Sequence, residues 1–313
     1  MIPTLKDVQS AVKRIGPYVH RTPVLTSSTI DHRVAATVYF KCENFQRMGA
    51  FKMRGATNAI LQLSDEERAR GVITHSSGNF AAALALAARS LDTHATIVMP
   101  SDASPVKKEA VSGYGAKIIE CDRTLKSRET VMASERKKSG ATFIHPYNDM
   151  NVILGNSTAV WEFVREVGNL DVVIAPVGGG GLLAGTALAV NHIDYYTVTI
   201  GAEPFGADDA YLSLKTGKIQ PSINPKTIAD GLRTQLGDKT FPIILQFVSK
   251  IIRVEESEII DAMKFIWERM KIVIEPSSAV AVAALFRNQT EFAKKKIGII
   301  LSGGNVNLTS LPF

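Results

Sequence analysis

Short runs of β-branched and apolar residues recur along this 313-residue chain, separated by longer segments of helical period. That alternation leaves few folds open. It points to an α/β fold in which crossover helices join the strands of parallel sheets. The strand candidates are Thr37–Glu43, Gly71–His75, Ala95–Met99, Lys117–Cys121, Thr142–His145, Asp171–Val177, Thr197–Ala202, Lys250–Val254 and Lys296–Leu301. Helices are expected over Ala56–Leu63, Phe80–Ser90, Pro105–Ser112, Leu125–Ser139, Ser157–Val167, Leu182–Asn191, Glu256–Met270 and Ser277–Arg287. No repeat, low-complexity tract or Gly/Ser-rich linker divides the sequence. A chain this long tends to split its core, so two lobes are expected. The chain would cross between them more than once, with an insertion from about Ser64 to Tyr147.

Composition excludes several classes. Hydrophobic residues make up 45% and charged residues 21%, ordinary values for a globular enzyme. No segment reaches the roughly 20 apolar residues needed to span a bilayer, and the N-terminus has no apolar stretch behind a basic start. A cytoplasmic location is expected, with no membrane partner. Cys42 and Cys121 are too few for a disulfide framework and lack zinc-ligand spacing. The net charge of +6 comes from scattered Lys and Arg, the densest run being Lys294-Lys295-Lys296, so a solvated surface is expected rather than a nucleic-acid partner.

Four clusters could carry chemistry. In Gly49-Ala50-Phe51-Lys52-Met53-Arg54-Gly55, a lysine sits between an aromatic ring and a glycine, just ahead of an apolar helix. Taken alone it reads as a surface charge, but partial burial lowers an amine's pKa and lets it form imines. His75-Ser76-Ser77-Gly78-Asn79 follows one strand candidate and precedes an alanine-rich helix. These are turn and N-cap residues, yet the C-terminal edge of a parallel sheet is where α/β proteins bind ligands. Gly178-Gly179-Gly180-Gly181 lies between a buried strand and a helix, which exposes amides at a positive helix end and suits a phosphate. Ser302-Gly303-Gly304-Asn305 closes the last apolar strand, where small residues admit a flat ligand and Ser302 offers a hydroxyl.

The glycine run permits a rival reading. Gly179-x-Gly181-x-x-Ala184 fits the dinucleotide fingerprint, and Glu203 follows about 20 residues on. A nicotinamide enzyme would leave the other clusters unexplained. A catalytically idle amino-acid-binding protein stands as a further alternative.

Taken in order, the clusters resemble the fold-type II pyridoxal-phosphate enzymes, in particular the serine racemase and serine/threonine dehydratase group. The likeness runs from Arg21-Thr22-Pro23-Val24 through Phe51-Lys52, Ser76–Asn79 and Gly178–Gly181 to Thr227–Gly231, Glu275-Pro276 and Ser302–Asn305. It covers nearly the whole chain, and that breadth favours it over the nicotinamide reading. The sequence also resembles fungal-type 3-hydroxyaspartate dehydratases. The resemblance implies a two-lobed fold like that of the tryptophan synthase β subunit. Residues 1–65 and 148–313 would form a large cofactor-binding domain, and residues 66–147 a small mobile one. A homodimer is the family expectation.

The resemblance also implies roles. Lys52 would hold pyridoxal phosphate as a Schiff base and then remove the Cα proton. Gly178, Gly179, Gly180 and Gly181 would hold the phosphate, Asn79 would bond the phenolic oxygen, and Ser302 would face the pyridine nitrogen. Ser76, Ser77, Gly78 and Asn79 would grip the substrate carboxylate. Ser77 would be the proton donor opposite Lys52 that racemisation needs; it permits racemisation without proving it. Serine would be racemised, or eliminated to pyruvate and ammonia, and threonine would give 2-oxobutyrate. Glu203, Ala207 and Asp209 match a divalent-cation site of hard oxygen ligands, suited to Mg²⁺, Ca²⁺ or Mn²⁺. Arg128 matches an arginine that approaches a substrate-side carboxylate, which leaves 3-hydroxyaspartate or aspartate open as substrates, and Thr234 matches a serine bordering the same pocket.

Three departures bear on the substrate. Phe80 stands where the family usually has histidine, Leu154-Gly155-Asn156-Ser157 replaces the common Ala-Gly-Gln-Gly, and Tyr147 follows His145-Pro146 where asparagine is often found. A phenyl ring at position 80 implies a smaller or more apolar pocket. The chain ends soon after the last strand, so no regulatory domain of the allosteric threonine dehydratases is expected.

Overall fold

The computed structural model describes residues 2–103 and 105–313. The first segment holds α1 (Leu5–Ile15), β1 (Val24–Thr26), α2 (Ser28–Val34), β2 (Thr37–Cys42) and α3 (Lys52–Ile60). Next come α4 (Asp65–Arg70), β3 (Val72–His75), α5 (Asn79–Ser90), β4 (Ala95–Pro100), α6 (Pro105–Gly113), β5 (Lys117–Cys121), α7 (Leu125–Ser139) and β6 (Thr142–Phe143). The chain continues through α8 (Met150–Val167), β7 (Val172–Pro176), α9 (Gly181–Ile193), β8 (Val198–Pro204), α10 (Asp209–Thr216) and α11 (Thr240–Phe247). It closes with β9 (Val248–Val254), α12 (Glu256–Met270), α13 (Pro276–Arg287), α14 (Gln289–Phe292) and β10 (Lys296–Leu301).

Two sheets result. A six-stranded sheet runs β1-β2-β10-β7-β8-β9, and a four-stranded sheet runs β5-β4-β3-β6. Every pairing is parallel except β1 with β2. The α/β class expected from the sequence is therefore observed, with one antiparallel edge strand it did not anticipate. Three residues are too short for a periodic signal, so β1 had none to give.

Period-2 alternation explains the layering. In β10, Ile297, Ile299 and Leu301 face α12 and α13, while Ile300 faces the opposite layer of α8 and α9. The smaller sheet divides likewise, with Val72, Ile97 and Met99 packing on α3 and α5, and Ile73 and Val98 packing under α7. Each branched side chain so buried contributes roughly 1.5–3 kcal/mol. Among the described residues, no helix is long and apolar enough to cross a membrane.

Several boundaries differ from expectation. Helix α8 starts at Met150 rather than Ser157, because Asp149 caps it by accepting from the amide of Asn151 at 2.8 Å. Helix α3 starts at Lys52 rather than Ala56, so the lysine opens the helix instead of preceding it. β6 stops at Phe143, two residues short of His145, and β9 begins at Val248. The capped helix α1 was also missed, although Thr4 and Asp7 form a reciprocal capping box.

Candidate active site

The C-terminal ends of the large sheet's strands meet the first turn of α3. There the amide of Phe51 donates to the carbonyl of Ser302 at 3.0 Å, and that of Gly304 to the carbonyl of Gly49 at 2.9 Å. The turn after β10 is thereby laced to the residues preceding Lys52. Two of the four clusters, far apart in sequence, become neighbours.

Lys52 Nζ donates to the carbonyl of Pro146 at 2.9 Å and lies 5.0 Å from the Phe51 ring and 5.7 Å from the Phe80 ring. Burial pulls its pKa down to about 8, and the Glu275 carboxylate opposes that fall. A lysine poised there is a competent nucleophile for a carbonyl cofactor. Phe80 is buried against α3, so the departure at this position puts an apolar face on the lysine side of the pocket.

Ser76, Ser77 and Gly78 form the half-buried turn between β3 and α5, and Asn79 opens that helix. Asn79 Nδ2 donates to both oxygens of Glu275, at 2.9 and 3.0 Å, while its Oδ1 accepts from Asn305 at 2.9 Å. This chain joins the second and fourth clusters. Burial pushes Glu275 up to about 7, against the lowering effect of the Asn79 hydrogen bonds. In the sequence Glu275 is only part of a motif, without a role of its own. Its signal was the carboxylate placed directly before a proline that opens α13.

All four glycines of the loop before and at the start of α9 are buried. Gly180 has φ +87°, and a Cβ there would lie 2.8 Å from Thr240, Leu236 and Ile244. A Cβ on Gly179 would fall 2.4 Å from the Tyr147 ring. Thr240 Oγ1 donates to the carbonyl of Gly179 at 2.9 Å, and Asn156 Nδ2 to that of Gly181 at 3.1 Å. A side-chain-free loop at a helix N-terminus fits a phosphate.

In the sequence, His145 closes a strand candidate and Tyr147 is a departure from the family pattern. His145 Nδ1 accepts from the amides of Tyr147 at 3.3 Å and Asn148 at 3.0 Å. Burial pulls its pKa down to about 4, so the ring is neutral and carries its proton on Nε2.

Around Glu203, the carboxylate is buried and accepts from the amides of Ala210 at 3.0 Å and Tyr211 at 2.8 Å. Burial raises its pKa well above the usual range, and Asp209 adds to that rise. Neither oxygen of buried Asp209 has a partner in hydrogen-bonding geometry; Ser222 and the Leu236 amide lie near enough to favour its charge, but burial outweighs them and raises its pKa to about 6. Two desolvated carboxylates that repel one another, with Ala207 buried in the turn between them, form a donor set that fits a hard divalent cation.

Arg128 lies on α7, its Nη2 donating to the carbonyl of Arg123 at 3.0 Å and its buried Nε lacking a partner. Its charge helps lower the pKa of His75, although burial is the main cause. Thr234 is exposed, two residues beyond Leu232, whose backbone packs on Gly178.

The fold sets a desolvated lysine at the start of α3 and a side-chain-free glycine loop at the start of α9 on two helices that both pack on α8, an arrangement suited to an enzyme with a phosphate-bearing carbonyl cofactor. Residues 15–303 match the family described as pyridoxal-phosphate dependent enzyme, and the chain belongs to it. It is 48% identical over 312 residues to a serine racemase of Dictyostelium discoideum, covering 98% of this chain and 96% of the relative. It is 46% identical over 312 residues to a beta-hydroxyaspartate dehydratase of Paracoccus denitrificans (strain Pd 1222), covering 100% and 99%. The structure of maize serine racemase superposes with a TM-score of 0.97 at 44% identity, covering 99% of this chain and 95% of that one. The protein is therefore a pyridoxal-phosphate enzyme, and the nicotinamide alternative is set aside.

Proposed function

We propose that this enzyme is a serine racemase that also eliminates water from L-serine and L-threonine. The observation that carries the proposal is the end-to-end similarity to a serine racemase at 48% identity, in a chain that has serine at position 77. Bound pyridoxal phosphate supplies an electron sink that makes the substrate's Cα proton acidic. Lys52 holds the cofactor and takes that proton on one face; Ser77 returns a proton on the other. Loss of the β-hydroxyl instead, followed by hydrolysis, releases pyruvate or 2-oxobutyrate with ammonia.

The remaining roles follow the same reading. Gly178 to Gly181 and the N-terminus of α9 hold the phosphate, Asn79 bonds the phenolic oxygen, and Ser302 faces the ring nitrogen. Ser76 to Asn79 bind the substrate carboxylate, and Thr234 borders the pocket. Residues 66–147 act as a small domain that closes on residues 1–65 and 148–313. Glu203, Asp209 and the Ala207 carbonyl bind Mg²⁺ or a similar cation. The enzyme works as a cytoplasmic homodimer.

A second reading, 3-hydroxyaspartate dehydration or aspartate racemisation, is favoured by two observations. One is Arg128, whose buried Nε lacks a partner and whose charge is felt at His75, a cation available for a second carboxylate; the other is the similarity to the Paracoccus dehydratase. Incubation with L-serine, L-threonine and 3-hydroxyaspartate, with keto acid and opposite enantiomer measured separately, decides between them. D-serine formed from L-serine supports the first reading. Keto acid from 3-hydroxyaspartate alone overturns it in favour of the second.

A further inference from the structure

The helix that carries Lys52 is held from behind by a group of charges that no step above uses. Arg54, two residues along α3, is fully buried, and its guanidinium is engaged on every side. Nε and Nη2 fork onto Glu43 at 2.7 and 2.9 Å, and Nη1 and Nη2 fork onto Glu162 at 2.8 Å each. Further donations reach Thr158 Oγ1 and the His20 carbonyl, both at 3.2 Å. Lys41 Nζ donates to Glu162 at 2.9 Å and to the Thr22 carbonyl at 2.8 Å, and Thr22 Oγ1 donates to Glu43 at 2.6 Å. Two cations face two carboxylates, so the group is neutral. Replacing a buried ion group with apolar residues of similar volume is often neutral or stabilising, so stability alone does not account for these charges. What the charges supply is geometry.

The helices show where that geometry is needed. At the crossing of α3 with α8, a Cβ on Gly155 would lie 2.4 Å from the Arg54 carbonyl, and one on Gly55 2.9 Å from the Val152 carbonyl. On its other side, α8 meets α9 just as closely, since a Cβ on Gly185 would lie 2.8 Å from the Ile153 carbonyl. Helix α8 therefore sits between the lysine's helix and the glycine loop's helix with backbone against backbone. Val152 and Asn156 of α8 seat against Gly55, and Asn58 Nδ2 of α3 donates to the Asn151 carbonyl of α8 at 2.7 Å. The paired forks of Arg54 onto Glu162 of α8 and onto Glu43 are the charged, planar part of that lock, and the part next to Lys52.

We propose that Arg54 is a positioning residue for Lys52: its forks on Glu43 and Glu162 set the register of α3 on α8, and so the distance from the Lys52 amine to the phosphate cradle. The inference rests on Lys52 being the cofactor lysine. Arg54→Lys keeps the charge but replaces a planar fork with a point charge. The holoenzymes of wild type, Arg54→Lys and Glu162→Gln are compared by three readouts: the pH midpoint of the visible cofactor band, the rate of cofactor release, and thermal unfolding. In Arg54→Lys the band midpoint moves and release accelerates by about tenfold or more, the scale of a displaced reactive group. Glu162→Gln shifts both in the same direction by less. A folded Arg54→Lys whose midpoint and release rate match wild type overturns the proposal, even if its melting temperature falls, because that is what a merely structural role gives. Should Arg54→Lys not fold, Glu162→Gln decides on the same two measures. A wild type without a visible band, or a Lys52→Ala variant that keeps it, strikes the assignment of Lys52 instead.

Discussion

Lys52 Nζ donates to the carbonyl oxygen of Pro146 at 2.9 Å, which ties the first residue of α3 to the segment leaving the last strand of the small sheet. The reactive amine thus sits at the seam between the two sheets. The residue is half-buried there, and atoms of both sheets' connections crowd the amine enough to desolvate it.

The first prediction concerns loading of the apoprotein with pyridoxal phosphate. Only the neutral amine attacks a carbonyl, and burial lowers the Lys52 pKa to about 8, so the loading rate rises as pH passes through about 8. Glu275 raises that pKa, so its removal lowers it further. Glu275→Gln is expected to move the midpoint to lower pH, measured by stopped-flow absorbance between pH 6 and 10. A midpoint moved to higher pH would contradict the electrostatic assignment.

Gly180→Ala tests the cradle. The new methyl meets a left-handed backbone, costing about 1–2 kcal/mol, and three side-chain atoms at 2.8 Å, costing about 1–3 kcal/mol more by overpacking. Lower melting temperature and weaker cofactor retention are expected together, read by calorimetry and by dialysis against cofactor-free buffer.

The alternation of strands and helices was legible because period 2 and period 3.6 are local signals; the α/β class followed from them. The Lys52 helix start was misplaced because Phe51 gives no N-cap signature. The pairing of Glu275 with Asn79 spans 196 residues and leaves no trace in spacing. The same holds for Pro146, whose contact with Lys52 is made by a backbone carbonyl, a group every residue type carries. Glu43 and Glu162 have no role in the sequence reading, since nothing local distinguishes a carboxylate that will meet Arg54. Composition and spacing by themselves would have left Lys52 a surface charge; its order among the other motifs is what singled it out.

Ser77→Ala separates the two activities proposed for one site. Loss of the hydroxyl removes the second proton donor, so racemisation of L-serine is expected to fall by about 10²-fold or more, the usual range for a general acid or base. Keto acid formation should survive in large part. Equal loss of both activities would contradict the two-base assignment.

The carboxylate pair of Glu203 and Asp209 predicts cation-dependent stability. With Mg²⁺ at a hundredfold excess over its Kd, binding to the native state stabilises it by about 2.7 kcal/mol, seen as a rise in melting temperature that EDTA reverses. Asp209→Asn should abolish the response to Mg²⁺. It should also unfold at a higher temperature than wild type in EDTA, because a buried carboxylate without a partner is replaced by a neutral amide.

The most direct test of the whole assignment is the visible absorbance of purified protein after incubation with pyridoxal phosphate and gel filtration. Wild type is expected to keep a lysine-bound cofactor band that borohydride fixes covalently on the Lys52 peptide, and Lys52→Ala is expected to emerge without it. A band of undiminished intensity in Lys52→Ala, or borohydride labelling at another lysine, would contradict Lys52 as the residue that carries the cofactor.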